Sequence, residues 1–145
     1  MHPYPHRYTA AAAGTASGKV TLSAHGLPDL DSEPPVEFNG PGDRWSPETL
    51  LCAAVADCLV LTFRSIARAA RLDWHSIDCH TEGILDRADG VSRFIRFTSQ
   101  VCLTVPGGTD EAKARQLVEK SEHGCLIANS LNSERTLSIE LRTLA

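Results

Sequence analysis

The chain has 145 residues and a formal net charge of −4 at pH 7, with ordinary fractions of hydrophobic (42%) and charged (22%) residues. This length predicts a single domain over residues 1–145 with enough chain to enclose a core. Because the basic residues are scattered along an acidic chain, neither a nucleic acid nor a membrane surface is expected as a partner. The longest uncharged apolar run, Leu50–Ala56, is far too short to cross a bilayer.

Cysteine usage and the N-terminal residues predict the compartment. The chain has 5 cysteines at irregular spacings, and this odd number is unlike the disulfide framework of a secreted protein. The N-terminal stretch MHPYPHRYTA contains no apolar core of the kind that a signal peptide needs. We therefore expect a soluble cytoplasmic protein whose thiols are mostly reduced.

The first part of the chain is predicted to form short strands and turns. Residues 6–13 and 19–25 flank a glycine-bearing loop, and the second of these segments alternates as a half-buried strand should, which favours a β-hairpin. Residues 26–35, rich in Pro, Asp and Ser, are predicted to be a connection. A short strand at 36–38 and a turn cluster at 39–43 follow.

A long helix is predicted over Ser46–Arg71, the most apolar segment of the chain. Ser46 can cap the helix, Pro47 suits its first position, and Glu48 places negative charge at the positive end of the helix dipole. Apolar residues cover more than one stripe of this helix. It should therefore be buried by its own domain and by a further surface.

The remaining elements follow from alternation, turn residues and caps. They are strands over 74–86 and 91–105, joined into a long hairpin by the turn residues 87–90, a helix from Thr109 or Asp110 to about Glu122, a short helix within 125–131, and a strand over 136–144. Strands and helices are partly segregated along the chain. The order therefore predicts an α+β fold with a mostly antiparallel sheet.

Cys58, in the middle of the long helix, is the first candidate for chemistry. Its position alone favours a small buried hydrophobe, since free cysteine is among the most buried residue types. Cys125 follows a helix end, where a new helix N-terminus could lower its pKa. If Cys58 and Cys125 meet in space, one thiolate can attack an O–O bond and the resulting sulfenic acid can condense with the other thiol. Cys52 is a poor partner for Cys58, since the two lie about 120° apart around the helix and about 9 Å apart along it.

Other kinds of site have weak signals. Cys79-His80 and His123-x-Cys125 are short pairs without the spacing of a zinc site, so no metal is expected. The chain has no glycine-rich phosphate loop and no nucleophile elbow around a serine. No cofactor is therefore predicted.

Glu48 has two interpretations. It can be only a favourable charge at the helix start, or it can anchor a cation that activates the thiol, with Arg44 four residues upstream. Glu48 and Cys58 lie about 15 Å apart along an ideal helix. They can share a small site only through a long bridging side chain or through two neighbouring copies of the helix.

The chain resembles the OsmC/Ohr family, the osmotically inducible and organic-hydroperoxide-resistance thiol peroxidases. The residues that carry the resemblance are Ser46–Leu51 (SPETLL), Ala53–Cys58 (AAVADC) and His123–Leu131 (HGCLIANSL). The family shows a similar Asn/Ser-Pro-Glu-x-Leu helix start, a cysteine ten residues after the glutamate, and a second cysteine late in the chain. The predicted order of elements agrees with the family over nearly the whole length.

The resemblance implies antiparallel sheets packed around a long central helix, in an intertwined homodimer with active sites at the subunit interface. It implies that Cys58 is the peroxidatic thiol, that Cys125 is the resolving thiol, and that Glu48 orients an arginine toward the thiolate. The substrate would be an organic hydroperoxide, reduced to an alcohol. The reductant would be a dithiol or a lipoyl or thioredoxin-like protein.

The chain departs from the family at the arginine. Family members usually supply it from the loop several residues upstream of Pro-Glu, but residues 35–39 contain none. Arg44 is the nearest candidate and Arg7 the other. The departure keeps open a non-catalytic OsmC-like protein that senses redox state or binds a hydrophobic ligand. A structural dimer whose cysteines only fill the core is a third possibility.

Overall fold

The computed structural model of the protein describes residues 1–145, which divide into two units, Met1–Leu50 and Leu51–Ala145. Each unit contains a three-stranded sheet. The first sheet is antiparallel with the order β1-β2-β3, formed by Ala11–Ala13, Val20–Ser23 and Leu30–Ser32. That the whole chain is one domain stays a prediction.

Two predictions in the first unit are wrong. The segment 26–35, predicted as a connection, contains β3, which pairs with β2 in spite of its turn-forming residues. Residues 36–38, predicted as a strand, form a 3₁₀ turn. The Pro35 carbonyl accepts hydrogen bonds from the N–H groups of Phe38 and Gly40 at 2.9 Å each, and Asn39 closes the turn in the left-handed region at φ 63°. These local bonds replace those that a strand would make with a neighbour.

Helix α1 spans Pro47–Ala69, close to its predicted limits. Ser46 caps it as predicted: its Oγ accepts a hydrogen bond from the Thr49 N–H at 3.2 Å, and the Thr49 hydroxyl accepts one from the Ser46 N–H at 3.0 Å. The buried residues of the helix lie at every fourth position: Val55, Leu59, Phe63 and Ala67. One stripe is thus buried by this chain, while other apolar residues of α1, such as Leu61, stay exposed.

By length and composition alone, α1 could cross a membrane, since it has 23 residues and a mean hydropathy of 1.9 over its most apolar window. The run Leu50–Ala56 is too short to cross a bilayer, but the helix that contains it is long enough, because isolated charges do not disqualify a helix of this length. The central helix of a soluble protein has the same property.

The second sheet has the order β4-β5-β6, formed by Ser76–Ala88, Val91–Pro106 and Glu134–Leu144. β4 and β5 make the predicted antiparallel hairpin, whereas β6 runs parallel to β5. A parallel pair needs a crossover, and helices α2 (Glu111–His123) and α3 (Leu126–Asn129) supply it. Asp110 caps α2 by accepting a hydrogen bond from the Lys113 N–H at 3.1 Å.

The main core of the second unit lies between the sheet and two helices. α1, β5 and α2 each contribute three buried residues to it: Leu59, Phe63, Ala67, Val101, Leu103, Val105, Ala114, Leu117 and Val118. A second cluster lies nearer the start of α1 and joins Val55, Phe97, Cys125 and Ala128. The α+β class predicted from the sequence is confirmed, and the second cluster contains one of the two candidate cysteines.

Candidate active site

The structure brings Cys58 and Cys125 together. Cys58 lies half-buried on α1 and packs against the cluster that contains Cys125, and the Cys125 thiol is among the groups that lower the pKa of Cys58. Cys125 is only 1% exposed and occupies the N-cap position of α3. The contact needs the crossover between β5 and β6, because that connection returns Cys125 to the middle of α1.

Cys58 lies among hydrogen-bond donors. Burial raises the pKa of its thiol, but the N–H of Ile127, the Cys125 thiol, the Thr62 hydroxyl and the N–H of Leu126 more than offset burial, so that the pKa lies below its ordinary value. The Thr62 hydroxyl is 4.0 Å from the sulfur. A thiolate at Cys58 is therefore stabilised by neutral donors, most of them on the segment that carries Cys125.

Cys125 has the opposite character. Burial raises the pKa of its thiol to about 11, and the neighbouring Cys58 adds to the increase. Its sulfur is 3.8 Å from the Val55 carbonyl oxygen, to which the protonated thiol donates. The expectation that a helix N-terminus lowers the pKa of Cys125 is therefore wrong, because burial outweighs the α3 amides that point to Cys125. The pair thus combines one thiol whose pKa is lowered with one whose pKa is raised.

A shallow groove opens above Cys58, with a volume of about 600 Å³. Most of the residues that line it are small or apolar: Ala54, Asp57, Cys58, Leu61, Thr62, Ser65, Gly124, Leu126 and Ile127. Leu61 and Leu126 expose half or more of their surface. Asp57 is the one charged residue of the groove. The thiol is thus accessible from an apolar surface that carries a single negative charge.

The other cysteines have different surroundings. Burial raises the pKa of Cys52 and of Cys79. All five thiols are free. No group of three or more His, Cys, Asp or Glu side chains could hold a metal ion. Cys58 therefore differs from Cys52, Cys79 and Cys125 in having a lowered pKa.

Glu48 and Arg44 belong to the first unit and are not paired with each other. Arg44 donates a hydrogen bond to Asp31 at 2.9 Å and lies 3.8 Å from Glu33. This arrangement follows from the backbone, because the Trp45 carbonyl accepts from the Glu33 N–H at 3.0 Å and so holds Arg44 beside the carboxylates around β3. The pairing of Arg44 with Glu48 considered from the sequence is absent.

One carboxylate oxygen of Glu48 is buried without a hydrogen-bond partner. Glu48 lines a cavity of about 360 Å³ within the first unit, whose walls are mainly apolar. A buried carboxylate oxygen is costly unless a donor reaches it. Glu48 is therefore suited to accept a cation or another donor.

The sequence interpretation missed the N–H groups of Leu126 and Ile127 as partners of Cys58. Every residue except proline offers a backbone N–H, so no side-chain pattern reveals these donors. The only signal was the short helix predicted after Cys125, which the sequence interpretation assigned to Cys125 itself. The crossover between β5 and β6 brings these N–H groups to Cys58, and this connection was not predicted from the sequence.

The long helix α1, which carries Cys58, and the segment that carries Cys125 both lie within the part of the chain that a known protein family matches. The family model described as OsmC-like protein matches residues 40–140, most of the chain. The chain therefore belongs to the OsmC-like family, as the sequence motifs predicted.

Individual relatives agree with this assignment. The chain is 28% identical over 109 residues to the uncharacterized protein YmaD of Bacillus subtilis strain 168, a match that covers 73% of each chain. It is similar in fold to an OsmC-like protein of unknown function from Vibrio cholerae, with a TM-score of 0.85, 19% identity, and coverage of 94% of this chain and 100% of that one. It is also similar to an organic hydroperoxide resistance protein from Elizabethkingia anophelis, with a TM-score of 0.76, 18% identity, and coverage of 99% and 100%.

Proposed function

We propose that this protein is a thiol-dependent peroxidase that reduces organic hydroperoxides to alcohols. The observation that carries the proposal is the Cys58–Cys125 pair at an apolar groove, in which the pKa of Cys58 is lowered and that of Cys125 is raised. A peroxidatic thiol needs to be ionised and accessible, whereas a resolving thiol needs only to be close. The organic hydroperoxide resistance protein among the structural relatives supports the same reaction.

The proposed reaction has three steps. The Cys58 thiolate attacks the hydroxyl oxygen of ROOH, the O–O bond breaks, and the products are Cys58 sulfenic acid and an alkoxide, which takes a proton from solvent to give ROH. The Cys125 thiol then condenses with the sulfenic acid, forming a disulfide and releasing water. A dithiol, either small or carried by a lipoyl or thioredoxin-like protein, reduces the disulfide and is itself oxidised. We propose the cytoplasm as the compartment, since the cycle needs a source of thiols.

Backbone amides replace an arginine at the thiol in this proposal. The N–H groups of Leu126 and Ile127 and the Thr62 hydroxyl all favour the Cys58 thiolate. Hydrogen bonds to an ionised group favour that form without a formal charge. The missing upstream arginine is therefore compatible with peroxidase activity.

We also propose that the protein forms a homodimer through an exposed apolar surface on α1 and α3. Leu61 of α1 and Leu126 of α3, both exposed, favour such a contact. In the dimer a donor from the second copy would reach the buried oxygen of Glu48, which stays a proposed site residue. Arg44 could take this role only by leaving Asp31 and Glu33. Sedimentation analysis of wild type and of Leu61→Asp tests the dimer, and a monomeric wild type would contradict it.

The peroxidase proposal is tested by cumene hydroperoxide consumption with dithiothreitol as reductant. Wild type should turn over, and Cys58→Ser should be inactive because no other thiol of the chain lies in the groove. Cys125→Ser should still form the sulfenic acid, which a dimedone probe traps, but not the intramolecular disulfide. Cys52→Ser is the matched control on the same helix and should keep its activity. Equal rates for wild type and Cys58→Ser would refute the proposal.

A second function is a non-catalytic protein that senses redox state or binds a hydrophobic ligand. The observation that favours it is the unpaired Glu48 carboxylate, which in a peroxidase of this family would hold an arginine. Dithiothreitol would reduce the Cys58–Cys125 disulfide of a sensor as well, so the rate of peroxide consumption distinguishes the two functions. A non-catalytic protein should consume cumene hydroperoxide hardly faster than Cys58→Ser, and a wild-type rate far above that of Cys58→Ser would exclude this alternative.

A further inference from the structure

Arg135 is an arginine on the helix-facing side of a strand. Alternation along β6 places it on the same side as Leu137, Ile139 and Leu141, which pack against the main core. Its side chain is only 25% exposed. Charged side chains on such a face are rare unless they are paired. The hydrogen-bond partners of Arg135 should therefore indicate its role in the structure.

The Arg135 guanidinium makes three hydrogen bonds to one short segment. Nε donates to Glu122 Oε1 at 2.6 Å, and Nη1 donates to Asn129 Oδ1 at 2.6 Å. Nη2 donates to the main-chain carbonyl of Glu122. Glu122 lies at the end of α2 and Asn129 at the end of α3. A single planar side chain thus joins the two ends of the segment Glu122–Asn129.

Hydrogen bonds within the segment Glu122–Asn129 also hold it together, and one of them involves the backbone of Cys125. Asn129 Nδ2 donates to the His123 carbonyl at 3.1 Å. The Glu122 carbonyl that accepts from Arg135 also accepts from the Cys125 N–H at 3.2 Å. None of the hydrogen bonds of Arg135 goes to a sulfur atom. Arg135 therefore acts on the backbone that carries Cys125 and not on the thiols themselves.

We propose that Arg135 is a positioning residue, whose guanidinium holds the segment Glu122–Asn129 so that Cys125 and the amides of Leu126 and Ile127 stay against the Cys58 sulfur. The inference rests on the proposed function for its catalytic meaning, because the condensation of Cys125 with Cys58 sulfenic acid needs the two sulfurs at bonding distance. A fork of donors matters here, since lysine offers only a point charge. A small displacement of a reacting group can slow a reaction by about a hundredfold.

The test compares Arg135→Gln and Arg135→Lys with Arg96→Gln. Arg96 is the matched control, because it lies on the neighbouring strand β5 and donates to Glu134 Oε2 through Nε at 3.1 Å and Nη2 at 2.8 Å, with no bond to the segment. One equivalent of cumene hydroperoxide is added, and the Cys58–Cys125 disulfide is followed by quenched-flow mass spectrometry. We expect both Arg135 variants to form it about tenfold to a hundredfold more slowly than wild type, and Arg96→Gln to match wild type.

A second measurement needs no peroxidase activity. Alkylation of Cys58 by iodoacetamide is followed against pH by peptide mass spectrometry, and its midpoint should move up by about one pH unit in the Arg135 variants, since the amides of Leu126 and Ile127 withdraw from the sulfur. A loss of stability alone would not move this midpoint in the folded protein. Asn129→Ala keeps the Arg135–Glu122 ion pair and should give a smaller shift in the same direction, which provides a variant if Arg135→Gln does not fold.

The outcomes separate the two proposals. A wild type without turnover contradicts the proposed function, while the alkylation profile still decides the role of Arg135. Unchanged disulfide rates and midpoints in the Arg135 variants overturn the positioning role. Changes of the same size in Arg96→Gln would also overturn it, because they would reflect any loss of a strand arginine.

Discussion

Cys52 and Cys58 lie on the same helix, six residues apart, and both are half-buried. Burial raises the pKa of both thiols. At Cys52 only one backbone N–H, that of Gly83, lowers the pKa, whereas the negative charge of Glu82 raises it further. The pKa of Cys52 is therefore raised. At Cys58 several donors act together and the pKa is lowered.

The pKa of a thiol on α1 therefore depends on the groups that face it and not on the helix that carries it. Cys52 faces the sheet, where β4 comes so close that a Cβ at Gly83 would lie 2.8 Å from the sulfur. Cys58 faces the turn between α2 and α3, where unpaired N–H groups are available at a helix start.

The largest expected effect is on alkylation. At pH 7 iodoacetamide should modify Cys58 more than about tenfold faster than Cys52, because only the thiolate reacts and Cys58 has the larger thiolate fraction. As pH rises, the Cys58 rate should level off before the Cys52 rate, since its pKa is the lower one. Peptide mass spectrometry over pH 6–10 measures both in one sample. Equal rates at pH 7 would remove the contrast.

Gly83→Ala should disturb the packing around Cys52 and leave Cys58 unaffected. The added Cβ would lie 2.8 Å from Cys52 Sγ and from a ring carbon of Phe94, and 2.9 Å from one of Phe97. Such overpacking costs about 1–3 kcal/mol in the free energy of unfolding, measurable by urea denaturation. Adding Cys52→Ala should recover part of the loss. The alkylation midpoint of Cys58 should stay unchanged, and a shift there would show that the two regions are coupled.

Leu126→Pro should weaken the stabilisation of the Cys58 thiolate and leave Cys52 unaffected. Proline removes one N–H next to the sulfur at the first position of α3, where helices tolerate it, and the preceding Cys125 already has the extended conformation that proline requires, with φ −66° and ψ 108°. We expect the Cys58 alkylation rate at pH 7 to fall about threefold to tenfold, since one of several donors is lost. Leu126→Ala, which keeps the N–H, is the control: both variants lose the leucine side chain from the groove, so the slower reaction of Leu126→Pro relative to Leu126→Ala measures the loss of the N–H.

The smallest effect should come from Asp57→Asn. Asp57 gives the groove its only charge, so an anionic fatty-acid hydroperoxide should be consumed more slowly than its methyl ester. Removing the charge should reduce this difference about twofold, because a single exposed charge acts weakly through water. The same reduction should appear in wild type at high salt. A ratio that responds to neither change would show that Asp57 has no part in selecting the peroxide.

Local signals predicted the elements best. The caps at Ser46 and Asp110 and the β4–β5 hairpin lie where turn and capping residues indicated, because each depends on neighbours in sequence. Strand β3 was missed, since three residues rich in turn formers pair only because β2 lies beside them. The parallel partnership of β6 with β5 likewise depends on residues far apart in the chain.

For the candidate site, the residues suggested a possible pair and the family resemblance selected it. The sequence pointed to Cys58 and Cys125, which lie together in the structure. It also pointed to a charged activator, and here it did not foresee the structure: Arg44 is bound by Asp31, and the donors at Cys58 are backbone groups and neutral side chains. These donors reach Cys58 only in the tertiary structure, and a pattern in the sequence does not show which distant residues come together.

The parallel pairing of β6 has a consequence for biosynthesis. Cys125 and Arg135 follow Cys58 by 67 and 77 residues in the chain, and β6 follows the crossover that carries Cys125. A ribosome must therefore synthesise the crossover and β6 before β6 can add to β5 and before the thiol pair can close. Until then Cys58 is a solitary cysteine on a helix without its amide donors. In the nascent chain the two cysteines thus come together only after α1 and the β4–β5 hairpin have been made.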